Sequence, residues 1–164
     1  MKISVRDSLI NMFLNFTIMK PKYLYHGSVR EIEGDKLLPK QASDLGERSE
    51  NLHQAVYATN VKDIAIAMAL ISCKGVNCSS LYFKKRPFGV IYEGWPKQEY
   101  IYLYTLPNKT FKQEGGSGNQ WYSTKPVKPS KVEKLKVNDY ISLVRKSTDK
   151  EREKFLEKYK RKFN

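Results

Sequence analysis

The fold is decided by residues 55–72, which read AVYATNVKDIAIAMALIS. The first part, Ala55–Thr59, is apolar and aromatic with a β-branched end, which predicts a strand. Asn60 is expected to cap a following helix, with Asp63 three residues later in its first turn. The helix is predicted over Lys62–Ser72. It is apolar on nearly every side, which is typical of a helix buried inside a domain.

Short β-rich segments surround this helix along the chain. Six further strands are predicted at Tyr23–His26, Leu81–Phe83, Phe88–Glu93, Tyr100–Leu106, Gln120–Thr124 and Lys131–Val137. Phe88–Glu93 and Tyr100–Leu106 alternate well and are expected to pair antiparallel. Thr148 and Glu151 form a capping box before a C-terminal helix with an apolar stripe of Phe155, Leu156, Tyr159 and Phe163. This order predicts an α+β fold with a mostly antiparallel sheet.

Length and composition favour one domain with a true core. The chain has 164 residues, of which 40% are hydrophobic and 12% aromatic, so intrinsic disorder is excluded as the main state. We assign residues 20–147 to the domain, residues 1–19 to an N-terminal helical extension, and residues 148–164 to a C-terminal amphipathic helix packed on the domain. The sequence has no run of eighteen apolar residues and no signal-peptide pattern, so a cytoplasmic protein without membrane contact is expected.

The charge of the chain is strongly and unevenly positive. There are 30 Lys and Arg residues against 17 Asp and Glu residues, a formal net charge of +13. Residues 125–164 hold fourteen basic and six acidic residues, so this C-terminal quarter carries +8. Such a field attracts phosphate-bearing partners, namely a nucleic acid, a dinucleotide or an anionic surface. The alternative is a solvated lysine-rich surface, because the lysines alternate with acids.

Several chemistries are disfavoured by the residue types present. The only histidines are His26 and His53, and Cys73 and Cys78 have no second cysteine pair, so no metal site is expected. A Cys–His catalytic couple would need these side chains to meet in space, which spacing in the sequence does not decide. There is no Walker loop and no G-x-G-x-x-G motif.

The strongest functional signal is an ordered series of short segments. These are YHGS at 25–28, GD at 34–35, LLP at 37–39, VYAT at 56–59 and QWYS at 120–123. Each is weak alone, and the order makes the series more specific. It resembles the ADP-ribosyltransferase superfamily, whose strands carry His, Tyr and then Glu, Asp or Gln. The nearer likeness is to the compact bacterial branch of rifampin ADP-ribosyltransferase, and the His, Tyr and Glu, Asp or Gln positions also resemble those of poly(ADP-ribose) polymerases.

The resemblance spans residues 22–137 and implies a split, mostly antiparallel sheet, with NAD as a substrate and no metal. It implies that His26 orients a ribose and that the Gly27 backbone meets the nicotinamide carboxamide. Tyr57 is expected to stack on the nicotinamide ring. The remaining implied cofactor contacts are Ser28, Thr59, Trp121 and Ser123. The reaction would transfer ADP-ribose to an acceptor that the residues do not identify, whether a protein, a nucleic acid or a small molecule.

The third catalytic position departs from the commonest family pattern. Gln120 stands where many members have Glu, and an amide binds a ribose hydroxyl without supplying a negative charge. Glu114, just upstream, is the other candidate, because an acidic residue stands at about this distance in the rifampin-modifying branch. We prefer Gln120 because its strand context fits the wider superfamily better.

Two functions other than ADP-ribosyl transfer remain open. The chain could be a non-catalytic, basic nucleic-acid-binding module, or an enzyme similar to RNA 2′-phosphotransferases, which also use NAD. Tyr100, Tyr102 and Tyr104 share one face of a strand and could stack bases, although a tyrosine-rich core is the more ordinary reading. His26, Tyr57 and Trp121 could equally be core residues.

Overall fold

Ten strands and three α-helices make up the described part of the chain. The computed structural model describes residues 20–41, 54–113 and 119–163, with side chains through residue 158. The strands are β1 Tyr23–Ser28, β2 Lys40–Gln41, β3 Gln54–Thr59, β4 Val76–Leu81, β5 Gly89–Gly94, β6 Tyr100–Pro107, β7 Lys112–Gln113, β8 Gln120–Ser123, β9 Lys131–Lys136 and β10 Val144–Lys146. The helices are α1 Lys62–Ile71, α2 Val137–Tyr140 and α3 Asp149–Phe163, with a 3₁₀ turn at Ile141–Leu143.

The strands form two sheets. Six strands of the larger, seven-stranded sheet follow the order β7-β8-β3-β1-β6-β9, and β2 pairs with β3. All of its neighbouring strands run antiparallel. The smaller sheet has the order β10-β5-β4, and its β10–β5 pair is parallel. The predicted α+β class with mostly antiparallel strands is therefore confirmed.

Each face of the larger sheet packs a separate hydrophobic core. Helix α1 lies on the face to which Gly27 and Leu103 belong, and we call this the helix face. Leu24 and Tyr104 belong to the opposite face, which we call the tyrosine face. Directly opposed residues of an antiparallel pair share a face, so the strand register assigns every position of the sheet to one of these two cores.

Helix α1 is buried as its sequence predicts. Six of its ten residues are buried, and they are Ile64, Ala65, Ile66, Ala67, Ala69 and Leu70. Its N-cap is Val61 rather than the predicted Asn60, and no side chain caps it. Instead, the Thr59 hydroxyl accepts a hydrogen bond from the Val61 N–H at 3.2 Å, which shapes the turn between β3 and α1.

The predicted pairing of Phe88–Glu93 with Tyr100–Leu106 is wrong. Strand β5 pairs with β4 and β10, whereas β6 pairs with β1 and β9. The chain separates them after Gly94, which has a φ of 86°. There the Trp95 N–H donates to the Gly75 carbonyl at 2.9 Å, which holds the turn against the end of α1 instead of closing a hairpin.

Two other strand predictions need correction. The strand expected at Leu81–Phe83 is instead Val76–Leu81, so it begins earlier and ends at the first predicted residue. Lys131–Val137 is close to the observed β9, but it is not the last strand, because β10 follows at Val144–Lys146. Three residues are too few for a visible alternation, so β10 carries no signal in the sequence.

The C-terminal helix begins with the predicted capping box. The Glu151 N–H donates to the Thr148 hydroxyl at 3.2 Å, and the Thr148 N–H donates to the Glu151 carboxylate at 2.8 Å. Phe155 stacks on Tyr92 with ring centroids 4.1 Å apart, which joins α3 to the smaller sheet. Leu156 of the predicted apolar stripe is 40% exposed, and the side chains of Tyr159 and Phe163 lie outside the described residues.

Within residues 20–41, 54–113 and 119–163, no helix has the length and apolarity to cross a membrane.

Candidate functional site

The three principal motifs lie on three neighbouring strands at the middle of the larger sheet. YHGS is on β1, VYAT is on β3 and QWYS is on β8, and these strands are adjacent. Tyr25 is opposite Thr59, and Thr59 is opposite Gln120, so the motifs meet in one row across the sheet. Segments separated by up to ninety-five positions in the sequence are thereby brought side by side.

The sheet opens between β1 and β3 next to this row. These two strands share only the pair Tyr25–Thr59, whereas β1 and β6 share six pairs. His26 bridges the opening, because its Nδ1 lies 2.7 Å from the Tyr57 carbonyl oxygen. A carbonyl only accepts, so the imidazole proton is on Nδ1 and Nε2 is the acceptor nitrogen. The His26 side chain thus connects β1 to β3 by a hydrogen bond that takes the place of backbone pairing at this point.

The surroundings of His26 favour its neutral imidazole form. Burial lowers its pKa from the ordinary value, the bond to the Tyr57 carbonyl opposes this, and the charge of Lys40 lowers the pKa further. The ring lies beside Tyr104 on the tyrosine face, with ring centroids 6.2 Å apart and the planes inclined by 50°. A neutral imidazole with a defined tautomer can accept one hydrogen bond from a hydroxyl group at Nε2.

The side chains of His26, Tyr57 and Gln120 do not all lie on one face of the sheet. Val56 and Ala58 belong to the core of the tyrosine face, so Tyr57 between them points to the helix face. Gln120 is opposite Thr59 and also belongs to the helix face. Tyr57 and Gln120 therefore come together, while the His26 imidazole leaves the sheet on the other side and reaches Tyr57 only through the main chain.

Gly27 is required by packing. A Cβ atom built on it would lie 1.9 Å from the Ala65 carbonyl oxygen and 3.1 Å from the Ala69 Cβ, so helix α1 lies directly on this residue. Packing against α1 therefore accounts for the glycine at this position, and the expected contact of its backbone with a nicotinamide carboxamide stays a prediction.

The other expected cofactor contacts make local hydrogen bonds. Ser28 Oγ donates to the Arg30 carbonyl at 2.7 Å and so forms the turn after β1. Ser123 Oγ lies 2.8 Å from the Thr110 hydroxyl and is buried on the tyrosine face. Trp121 belongs to the same buried core, on the face opposite Gln120. Glu114 and His53 lie outside the described residues.

Tyr122 lies beside the predicted site residues Tyr57 and Gln120, although the sequence reasoning did not single it out. It is directly opposite Tyr57 on the helix face, so two tyrosines and Gln120 form one group on β3 and β8. The alternation within QWYS could have identified it, because positions 120 and 122 must share one face and positions 121 and 123 the other. That alternation also separates Trp121 and Ser123 from the group.

Comparisons with known proteins do not identify a family. No protein-family model matches the chain, and no curated protein or solved structure matches it either. Among the described residues, no group of three or more His, Cys, Asp or Glu side chains is arranged to hold a metal ion.

The neutral state of His26 predicts a loss of stability in mild acid. Its folded pKa lies below the unfolded value, so the unfolded chain binds more protons as the pH falls. Stability is thus fully present above about pH 6.5 and decreases as the pH falls below it, with a limiting slope for one proton of about 1.4 kcal/mol per pH unit. Urea unfolding at pH 7.5, 6.5 and 5.5 measures this slope.

A His26→Gln variant is the control for that prediction, because an amide can donate to the Tyr57 carbonyl without titrating. Its free energy of unfolding is expected to vary less over the same pH range. An equal slope in both proteins would assign the effect to other titrating groups.

Proposed function

We propose that this chain binds NAD, with the nicotinamide half beside the split between β1 and β3, and that it is an ADP-ribosyltransferase-type protein. One observation carries the proposal: Tyr57 and Gln120 share a face of two paired strands, next to an opening that His26 holds through the Tyr57 carbonyl. The motifs that resemble the superfamily thus lie on adjacent strands, with the buried helix directly after the tyrosine strand.

Each of these residues has a physically suitable role. The flat phenol ring of Tyr57, with Tyr122 opposite, supplies a surface on which a pyridinium ring stacks. Gln120 is diagonal to Tyr57 across the pair, a separation of about 7–8 Å, which suits an adjacent ribose. His26 acts as a positioning residue, since it fixes the Tyr57 main chain at the point where the strands separate.

The reaction proposed is displacement at the ribose carbon that bears nicotinamide. The bond from this carbon to the ring nitrogen breaks, and its electron pair leaves with neutral nicotinamide. The acceptor forms the new bond to carbon and gives up its proton to solvent. The transition state resembles an oxocarbenium ion, as in glycoside hydrolysis. Gln120 carries no charge, so it stabilises this state less than a carboxylate would, and slow turnover is expected.

Titration calorimetry with NAD tests the proposal. The wild-type protein is expected to bind NAD in the micromolar-to-millimolar range, and Tyr57→Ala to weaken binding about tenfold through the lost stacking. Tyr82→Ala is the matched control, because Tyr82 is an exposed tyrosine just after β4. Absence of heat from the wild type, or equal affinity in Tyr57→Ala, would contradict the proposal.

A Gln120→Glu variant separates binding from chemistry. Restoring a carboxylate at this position is expected to raise the rate of nicotinamide release roughly tenfold or more, because the charge acts on the developing cation. Release of nicotinamide is followed by chromatography. An unchanged rate together with intact binding would show that Gln120 is not close to the reacting ribose.

A further inference from the structure

A second concave surface lies on the tyrosine face, away from Tyr57 and Gln120. It is a groove of about 420 Å³ near the end of β1 and the start of β6. Tyr100 and Tyr102 line it from β6, and Lys134 lines it from β9 opposite Tyr102. Arg30 lies on its other side, in the segment that follows β1. Aromatic rings and cations therefore line one groove.

The three tyrosines of β6 have different environments. Tyr104 is fully buried, as expected for a core residue. Tyr100 and Tyr102 are only half-buried, and both line the groove. Tyr102 also packs in part against the core that contains Tyr104, so core packing leaves only the exposed ring surface of Tyr100 and the exposed part of Tyr102 unexplained.

The groove wall is fixed by specific hydrogen bonds. The Ile32 N–H donates to the Tyr104 hydroxyl at 2.9 Å, which ties the segment after β1 to the sheet. The Gln98 side-chain amide donates to the Val29 carbonyl at 2.9 Å, and its oxygen accepts from the Lys74 N–H at 2.8 Å. A wall held at several points needs little ordering when a ligand binds.

The charges suit a ligand that carries both phosphates and polar base edges. Lys134 Nζ lies over the Tyr100 ring, 4.3 Å from its centroid, and Arg30 is exposed on the opposite wall. Glu31 and Glu99 also line the groove. The Glu99 carboxylate accepts a hydrogen bond from the Tyr100 hydroxyl, which raises the pKa of Tyr100. Cations can bind phosphates here while the carboxylates accept hydrogen bonds from N–H groups of bases.

We propose that this groove binds single-stranded nucleic acid, with a base stacked on Tyr102 and the adjacent phosphate held by Lys134. Stacking on aromatic side chains is the usual way in which proteins hold the bases of unpaired strands, and Arg30 and Lys134 are the two cations of the lining that can bind phosphates. A charge of +13 on the whole chain brings such a ligand to the surface. A double helix would not place its bases in contact with the tyrosines, because they are stacked and paired inside it.

Fluorescence anisotropy with labelled ten-nucleotide oligouridine RNA and oligodeoxyuridine DNA tests the proposal, because these two oligomers differ in the sugar alone. Tyr102→Ala is expected to weaken binding about tenfold, whereas Tyr102→Phe, which keeps the ring, should bind as the wild type does. Lys134→Ala should reduce the slope of log affinity against log salt by about 0.7, the value for one lost phosphate contact on a single strand. Binding of either oligomer through Tyr102 supports the proposal, and the tighter arm identifies the sugar.

Two results would contradict the proposal that the groove binds single-stranded nucleic acid. Absence of binding at low salt would remove the proposal altogether. Unchanged affinity in both Tyr102→Ala and Lys134→Ala would remove the groove as the site and leave only general attraction to the basic surface. Tyr57→Ala is expected to keep full affinity for the oligomers. This result is independent of NAD binding, so failure of one proposal does not decide the other.

Discussion

Replacement of Gly27 with alanine is expected to lower the free energy of unfolding by about 3 kcal/mol, at the upper end of the range for overpacked sites. The added Cβ would lie 1.9 Å from the Ala65 carbonyl oxygen and 2.8 Å from its carbon. These are backbone atoms of α1, so they cannot rotate away as a side chain could. The helix must move off β1, and much of the core on the helix face would loosen with it.

Gly34→Ala is the control for this effect. Gly34 has a φ of 85°, and an added Cβ would meet no atom within 4 Å, so its cost is backbone strain alone, about 1–2 kcal/mol. Gly27 does not have a positive φ, so its cost is steric alone. Urea unfolding of the two variants compares these costs. Equal destabilisation, or a Gly27→Ala protein as stable as the wild type, would show that α1 does not lie on Gly27.

Replacement of Trp121 with alanine is expected to lower stability by about 3–5 kcal/mol, because it empties a large site in the core of the tyrosine face. Trp121 is 6% exposed, and it belongs to the same buried core as Leu24 and Val127. Since it points away from Tyr57 and Gln120, the folded fraction should keep the NAD affinity of the wild type. Calorimetric titration under conditions that keep the variant folded measures this.

Trp121→Phe is expected to cost no more than about 1 kcal/mol. The Trp121 indole N–H is buried without a hydrogen-bond partner in the described part of the chain, so phenylalanine removes an unsatisfied donor along with some volume. An unpaired buried donor costs about 1–3 kcal/mol, which offsets the lost packing. If phenylalanine proved as costly as alanine, the indole N–H would have a bonding role. If Trp121→Phe lost NAD binding, Trp121 would contact the ligand.

The region from residue 54 to residue 72 could be predicted closely from the sequence. Its strand and its helix both carry strong local signals: a β-rich segment with a β-branched end, and then a long apolar run without glycine or proline. The observed bounds, Gln54–Thr59 and Lys62–Ile71, differ from the predicted ones by one residue at most. Such signals depend only on residues within one helix turn or one strand, so they can be recognised without knowledge of the rest of the fold.

The neighbours of each strand could not be predicted in this way. The alternation of Phe88–Glu93 and Tyr100–Leu106 defines which side chains share a face, but it does not say which strand lies alongside. The partner of β5 is determined by the turn at Gly94 and by the Trp95–Gly75 hydrogen bond, which joins residues twenty positions apart. The same limit applied to the site, because the order of the motifs along the chain reveals neither which strands are adjacent nor that His26 and Tyr57 face opposite ways.

The exposed lysines of β9 have a consequence for self-association. In the described residues β9 pairs only with β6, so its other side is the end of the larger sheet. Lys131, Lys134 and Lys136 stand along this border. A second molecule that tried to extend the sheet there would bring identical cations together, and this repulsion acts against edge-to-edge polymerisation. Salt screens the repulsion between these lysines, so fibres that grow by pairing of β9 edges should first appear at high salt concentration.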